Sequence, residues 1–167
     1  MHAFKPIDYA NRDAFYRELL GEIQGMLEKT WYTNLANASA ALMAHLPRIN
    51  WVGFYLMSGG ELVLGPFQGL PACLRIPLGK GVCGTAAATR KSVLVEDVHA
   101  FPGHIACDAR SRSEIVIPLL HEGKLIGVLD VDSPELARFN DSDRQGLERI
   151  AVLLARESSW RTPEIGA

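Results

Sequence analysis

The sequence predicts an α+β fold in which helices near both ends of the chain pack against an antiparallel β-sheet. Apolar residues recur at helical spacing between Asn11 and Lys29, and again after Asn140. Between these segments lie short runs rich in β-branched and aromatic residues, separated by glycine-containing turns. A length of 167 residues suits one domain with a proper core. We expect a single domain over 1–167, with a helical region at 1–46 and the sheet, its loops and a last helix at 47–167.

Three helices are predicted from periodicity and capping. The first buries Phe15, Leu19 and Ile23. The second begins at Thr33, a fair N-cap, and runs to near Leu46, where Pro47 stops it. Asn140 caps the final helix, and the acidic residues of its first turn suit the helix dipole. The core face of that helix comprises Leu147, Ile150, Ala151 and Leu154.

The central part of the chain predicts six strands and one further short helix. The runs INWVGFYLM and ELVLGPFQG flank a Ser-Gly-Gly turn and form a hairpin. LRIPL and SVLVEDV are further strands, and SEIVIPLL and KLIGVLDVD form a last hairpin. The segment GKGVCGTAAATR is a glycine-rich entry into a short helix, and residues 99–112 form a polar loop.

Composition excludes several classes of partner. Hydrophobic residues make up 48% of the chain, charged residues 22%, and the net charge is −2 without a basic cluster. We therefore expect neither nucleic acid nor a membrane surface as a partner. The N-terminus lacks the apolar core of a signal peptide, and no apolar run approaches the ~20 residues of a membrane span. A cytoplasmic location, where thiols stay reduced, is expected.

The three cysteines, Cys73, Cys83 and Cys107, fit neither a secreted disulfide framework nor a zinc site. Cys107 lies in the polar run FPGHIACDARSRSE, a setting that favours a reactive thiol. Cys83 lies at the N-terminal end of the short helix, whose dipole would lower the pKa of the thiol, so Cys83 is a rival nucleophile. Cys73 has the context of an ordinary half-buried thiol.

The last hairpin predicts a cluster of acids on one face. Alternation places Ile115, Ile117, Leu119, Leu125, Leu129 and Val131 on an apolar face. The other face carries Glu114, Asp130 and Asp132. A three-residue loop ending in Gly123 pairs Leu120 with Lys124 and sets Glu114 opposite Asp130. Crowded carboxylates repel, so at least one pKa should rise toward neutrality and supply a general acid. A solvated sheet edge is the competing interpretation.

Trp51 and Tyr55 share one face of their strand, where aromatic residues serve either the core or a ligand site. Four segments contain these residues and the cysteines, and their sequences are specific enough to compare with a known family. They are NWVGFYL, GPFQGLPACLRIPLGKGVCGTAA, VEDVHAFPGHIACDARSRSEIVIPL and GVLDVDSPELARFNDSD. Together they resemble the free methionine-(R)-sulfoxide reductases, which are single GAF-domain enzymes. The resemblance spans almost the entire chain and is least specific before Trp51. It implies a GAF-like antiparallel sheet with terminal helices packed against it.

The resemblance also implies a role for each site residue. Cys107 would attack the sulfoxide, Cys73 would resolve the sulfenic acid through a disulfide, and Cys83 would be an auxiliary thiol. The pocket residues carried over are Trp51, Tyr55, Glu114, Asp130 and Asp132. Glu114 or Asp132 is the candidate proton donor, Trp51 would hold the S-methyl group, and Asp130, with Glu114, would pair with the substrate ammonium.

No metal or bound cofactor is expected, because an external dithiol such as thioredoxin would restore the thiols. The partners implied are free methionine sulfoxide and thioredoxin. A homodimer is a further implication, since GAF domains often pair through terminal helices. The alternative function is a non-catalytic GAF module that senses a small molecule or an oxidant. Turnover of free methionine sulfoxide discriminates between the two.

Overall fold

Six antiparallel strands form the sheet that organises the described part of the chain. The computed structural model describes residues 5–105 and 108–161. The strands are β1 (Trp51–Ser58), β2 (Glu61–Gln68), β3 (Arg75–Pro77), β4 (Val93–Val95), β5 (Ser113–His121) and β6 (Lys124–Ser133). Their order across the sheet is β3-β2-β1-β6-β5-β4. The most buried strands, β1, β6 and β5, are therefore adjacent at its centre, as the alternating apolar pattern requires.

Helices cover both faces of this sheet. They are α1 (Arg12–Met26), α2 (Trp31–His45), α3 (Gly81–Thr89) and α4 (Asp141–Glu157), with a short 3₁₀ turn at Val98–Ala100. One core layer joins α1, α2 and α4 to the sheet, and a second lies between the sheet and α3. No helix in residues 5–105 and 108–161 is long and apolar enough to cross a membrane. The predicted α+β architecture is confirmed.

One buried carboxylate ties α1 to α4. Asn140 and Asp143 form a capping box at the start of α4. The Asp143 carboxylate also accepts hydrogen bonds from the hydroxyls of Tyr9 and Tyr16 and from the Arg12 guanidinium. The Arg138 guanidinium donates to it as well, so a capping residue that serves four further donors fixes the angle at which the first and last helices meet.

The second helix begins earlier than the sequence predicts. The structure starts α2 at Trp31, and its N-cap is Thr30 rather than Thr33. The Asn34 side chain accepts a hydrogen bond from the backbone N–H of Glu28 and donates one to the same residue's carbonyl. These bonds close the α1–α2 connection, so the helix starts before the residue that was expected to cap it.

The hairpin of β5 and β6 has a different register from the predicted one. Its turn has two central residues, Glu122 and Gly123, both with positive φ, and His121 pairs with Lys124. A bulge between Leu119 and Leu120 shifts the pairing once more.

Because the combined shift is two residues, the faces are preserved but the pairing changes. Glu114 lies opposite Asp132, and Val116 rather than Glu114 lies opposite Asp130. Near the turn the bulge reverses the sheet faces of two neighbouring residues. Leu125 packs on the α3 side, and Ile126 packs on the side of the three other helices. The expected place of Leu125 on the apolar face is therefore wrong.

Candidate active site

Three acids converge on the face of the sheet that α3 covers. Glu114 on β5 faces Asp132 on β6 directly, and Asp130 lies two residues along the same strand. Glu114 and Asp130 are each 6% exposed, and Asp132 is partly exposed. On the next strand, Gly53 lies opposite Asp130 and Trp51 opposite Asp132. The competing interpretation of a solvated sheet edge is therefore wrong for Glu114 and Asp130, whose side chains are buried.

A thiol completes the cluster from the opposite side. Cys83 on α3 is 3% exposed, and its Sγ donates to Glu114 Oε1 at 3.9 Å. Asp130 Oδ1 is buried and has no hydrogen-bond partner among the described residues. One polar atom of each of Cys83, Glu114 and Asp130 lies within 4.8 Å of the other two. The site therefore offers an unpaired acceptor to a donor that enters it.

Burial is the largest cause of the unusual acidity in this cluster. It raises the pKa values of Glu114 and Asp132 well above their usual range, and the neighbouring carboxyl groups raise them further. Burial also raises the pKa of Asp130, to about 7, because hydrogen bonds with Cys83 and Glu114 oppose part of the effect. The expected rise toward neutrality is confirmed, with desolvation stronger than repulsion as its cause.

Two cavities meet at the acids. The first has a volume of about 370 Å³ including its mouth, and it borders Cys83, Glu114, Asp130 and Asp132. Other residues around it include Ile76, Lys80, His104, Ile105, Asp108 and Ser111. The second, also counted with its open mouth, has about 190 Å³ and is lined by Trp51, Tyr55, Ala72, Asp108, Asp130 and Asp132. A ligand at the acids can therefore extend toward an aromatic wall.

Trp51 forms that wall, and its position is tightly determined. The indole stacks on Phe67 at 5.4 Å and on Tyr55 at 5.9 Å between ring centroids. Its Nε1 donates to the Leu70 carbonyl at 3.1 Å. A Cβ on Gly69 would lie 2.5 Å from the indole, and φ there is +133°, so a side chain at this position would displace the ring. Trp51 and Tyr55 share one face, as predicted.

A polar network that the sequence did not predict borders the acids. Asn50 Nδ2 donates to Asp108 Oδ2 at 3.0 Å and to Ser111 Oγ at 3.1 Å. Its backbone N–H donates to the Asp132 carbonyl. Hydrogen bonds from Arg110 hold the pKa of Asp108 down to about 2. The signal in the sequence was the density of polar residues in CDARSRSE, but nothing there indicated that Asn50 would join them.

The cysteines differ sharply in environment. Cys83 is a free, buried thiol whose pKa is raised by desolvation and by the neighbouring carboxylates. The expectation that the helix dipole would make it a nucleophile is therefore wrong, since burial among acids opposes the thiolate. Cys73, between β2 and β3, is half-buried, as expected, and takes part in a disulfide. Cys107, the predicted nucleophile, lies outside the described residues.

Only one group of described residues, Cys83, Glu114 and Asp130, is compact enough to surround a metal ion. A metal would require the thiol in its deprotonated form. The raised pKa of Cys83 disfavours that form. An ammonium group needs no thiolate, and two carboxyl groups beside an unpaired acceptor suit it.

A sheet of this order between a helical layer and a short glycine-rich helix is the architecture of a GAF domain, and the GAF-domain family model matches residues 34–156. A free methionine-R-sulfoxide reductase of Escherichia coli is 50% identical over 87% of this chain and 90% of its own length. One from Saccharomyces cerevisiae is 43% identical over 90% and 89%.

A solved structure extends the likeness to three dimensions. The free methionine-R-sulfoxide reductase of Neisseria meningitidis, in complex with its substrate, superimposes with a TM-score of 0.89 at 47% identity. The superposition covers 94% of this chain and 95% of that one. The chain belongs to the free methionine-R-sulfoxide reductase family of GAF-domain enzymes.

Proposed function

We propose that this protein reduces free L-methionine-(R)-sulfoxide to L-methionine with its own thiols and is recycled by thioredoxin in the cytoplasm. The relatives named for this activity support it. The observation that carries the proposal is the group of buried Glu114 and Asp130 and partly exposed Asp132, which faces an aromatic wall across two adjoining cavities. This arrangement suits a small zwitterion with an apolar, sulfur-containing end.

Recognition rests on the substrate ammonium. Burial raises the pKa of Asp130 to about 7, so this carboxyl group carries a negative charge in a substantial fraction of molecules near neutral pH. Its unpaired Oδ1 would accept a hydrogen bond from the ammonium, with Glu114 beside it. A methionine within a peptide chain lacks this cation, which explains a preference for the free amino acid. Trp51, with Tyr55, would hold the S-methyl group against its aromatic face.

Reduction of the sulfoxide needs a thiolate and a proton. The Cys107 thiolate attacks the sulfur, and a carboxylic acid delivers a proton to the sulfoxide oxygen. The oxygen passes to Cys107 as a sulfenic acid, and methionine leaves. Burial raises the pKa values of Glu114 and Asp132 well above their usual range, which favours the protonated form that a proton donor needs.

The cycle closes through Cys73. Its thiol attacks the Cys107 sulfenic acid, which forms a disulfide and releases water. Thioredoxin then reduces the disulfide, so no metal or prosthetic group takes part. The disulfide at Cys73, together with the free thiol of Cys83, supports Cys73 as the resolving residue.

The test is reduction of free methionine-(R)-sulfoxide, followed as NADPH oxidation through thioredoxin reductase and thioredoxin. We expect steady turnover of this substrate and very poor turnover of the N-acetylated analogue, which lacks the ammonium. Equal rates for both would contradict recognition by the acids. Binding of the free amino acid without any turnover would favour the alternative, a GAF module that senses a small molecule.

Separate cysteine variants test the assignment of the thiols. Cys107→Ser should abolish turnover and leave the fold intact. Cys73→Ser should form one methionine per site in a burst and then recycle poorly, because the sulfenic acid has no resolving thiol. Rapid-quench analysis of methionine measures both effects. A Cys83–Cys107 bridge in peptide maps of the oxidised wild type, with Cys73 reduced, would show that Cys73 is not the resolver.

A further inference from the structure

The mechanism above leaves one nucleophilic group of the cluster without a role. Cys83 lies on α3, 3% exposed, with its Sγ 3.9 Å from Glu114 Oε1. Desolvation and the acids around it raise the pKa of its thiol well above the ordinary value, so it remains protonated. A buried S–H that cannot ionise is a poor nucleophile, but it can donate a hydrogen bond.

We propose that Cys83 is a positioning residue whose S–H donates to Glu114 and holds the buried carboxyl groups in the arrangement that accepts the substrate ammonium. The inference rests on the proposed function and deepens it. The thiol approaches from α3, whereas the carboxyl groups come from β5 and β6, so it supports the cluster from the helix side. One carboxyl oxygen of Glu114 and one of Asp130 lie within 4.8 Å of each other, so a contact that orients Glu114 also affects Asp130.

The thiol also acts on the protonation of the cluster. A donor stabilises the charged form of a carboxyl group. Hydrogen bonding with Cys83 accordingly lowers the pKa values of Glu114 and Asp130, against the larger effect of burial. The other titratable groups near the cluster are Tyr55 on β1, Asp132 on β6, and Lys80, His104 and Asp108 around the cavity mouth. Cys83 is the titratable residue of α3 that contacts the acids, whereas the other groups named here lie on the sheet or at the cavity mouth.

Two substitutions separate the donor from the sulfur atom. Cys83→Ala removes the donor, and Cys83→Ser replaces it with a hydroxyl of similar size. For Cys83→Ala we expect KM for free methionine sulfoxide to rise about tenfold, with kcat of the first reductive step within about threefold of wild type. The fall of kcat/KM at low pH, called here the acid limb, reports protonation of the carboxyl groups. It should move to higher pH, because these groups lose a hydrogen bond that stabilises their charged form. Cys83→Ser should restore both quantities.

Each outcome has one interpretation. An acid limb that stays at the wild-type pH in Cys83→Ala would overturn the proposal, even if the melting temperature falls, since that pattern indicates packing alone. A Cys83→Ser variant as impaired as Cys83→Ala would also overturn it, because the sulfur itself would then be required.

Carboxyl ¹³C titration by NMR makes the test independent of turnover. In the wild type the Asp130 carboxyl should titrate near its pKa of about 7, and in Cys83→Ala its midpoint should rise. A rise without any methionine sulfoxide reduction by the wild type would retain the hydrogen-bond inference and reject the proposed activity. An unchanged midpoint in Cys83→Ala, together with normal turnover by the wild type, would reject the hydrogen-bond inference and retain the proposed activity.

Discussion

Asp130 lies in the middle of β6 with one carboxylate oxygen, Oδ1, buried and unpaired among the described residues. An unpaired buried acceptor costs about 1–3 kcal/mol. The fold sustains this cost at the point where the two cavities meet. A bound ammonium would satisfy the acceptor, so under the proposed function the atom that costs stability without ligand would strengthen binding of the substrate.

The substitution Asp130→Asn removes the charge while nearly preserving the shape of the side chain. We expect KM for free methionine sulfoxide to rise by about one to two orders of magnitude, since a charge-assisted bond to the ammonium is lost. The kcat value should change much less, because Asp130 is not the proposed proton donor. Steady-state kinetics at constant ionic strength measure both.

Asp141→Asn is the matched control for this change. Asp141 is exposed at the start of α4, where it pairs with Arg144, and it lines neither cavity. The control variant should keep the wild-type KM. An Asp130→Asn enzyme with an unchanged KM would remove Asp130 from recognition.

For single residues, the sequence predicts well which side chains share one face of a strand, because that depends only on periodicity. The alternation in β5 and β6 assigned Glu114, Asp130 and Asp132 to one face because strand side chains repeat every two residues. It could not identify Asn50, whose role depends on Ser111 and Asp108, residues that are distant in sequence and brought near by the sheet. Nor could it show that Cys83 is enclosed by acids from two other elements.

At the scale of the elements, the pairing of β5 with β6 differs by two residues from the pairing that the sequence predicts. The turn residues Glu122 and Gly123 both adopt positive φ, and the pairing has a bulge between Leu119 and Leu120, just before the turn. Gly in a turn predicts a hairpin, but a bulge depends on packing across the sheet. Gly127 marks this place: a Cβ there would lie 2.1 Å from the Tyr55 carbonyl oxygen.

The contact between α1 and α4 gives a prediction about helix packing. Replacing a helical glycine by alanine ordinarily stabilises a helix by up to about 1 kcal/mol. At Gly146, however, a Cβ would lie 2.1 Å from the Tyr16 ring. Gly146→Ala should therefore lower the free energy of unfolding by about 1–3 kcal/mol, as in an overpacked core. Urea denaturation followed by circular dichroism measures it.

Gly21→Ala on α1 provides the matched comparison. No atom lies within 4 Å of the position its Cβ would occupy, so this variant should be as stable as the wild type or more stable. Equal effects of the two substitutions would mean that the α1–α4 contact is looser than the structure shows.

For the whole molecule, the buried acids make stability depend on pH. The pKa of Glu114 is raised in the folded state, so the folded protein keeps a proton that the unfolded chain releases above its own pKa. Stability from this group is thus present below about pH 4.5 and falls as pH rises, by at most ~1.4 kcal/mol per pH unit. Glu114→Gln should therefore gain stability relative to wild type between pH 5 and pH 7.

Thermal unfolding of both proteins across that pH range measures the gain. Glu18→Gln, on the exposed side of α1, is the control and should show no gain that grows with pH. A constant difference between Glu114→Gln and wild type would mean that Glu114 titrates normally. The expected result identifies Glu114 as a buried carboxyl group that lowers the stability of the folded protein as pH rises.

Because β6 lies between β1 and β5, its opening should be much slower than the opening of a connection at the edge of the sheet. The amide protons of the strand that carries Asp130 and Asp132 are held in ladders on both sides, so they should exchange with solvent only when the whole sheet opens. Cys73 belongs to the connection between β2 and β3, near an edge of the sheet, where openings are local and frequent. Under the proposed function, local opening of this connection would expose the Cys73 disulfide to a reductant while Asp130 and Asp132 stay in place on β6.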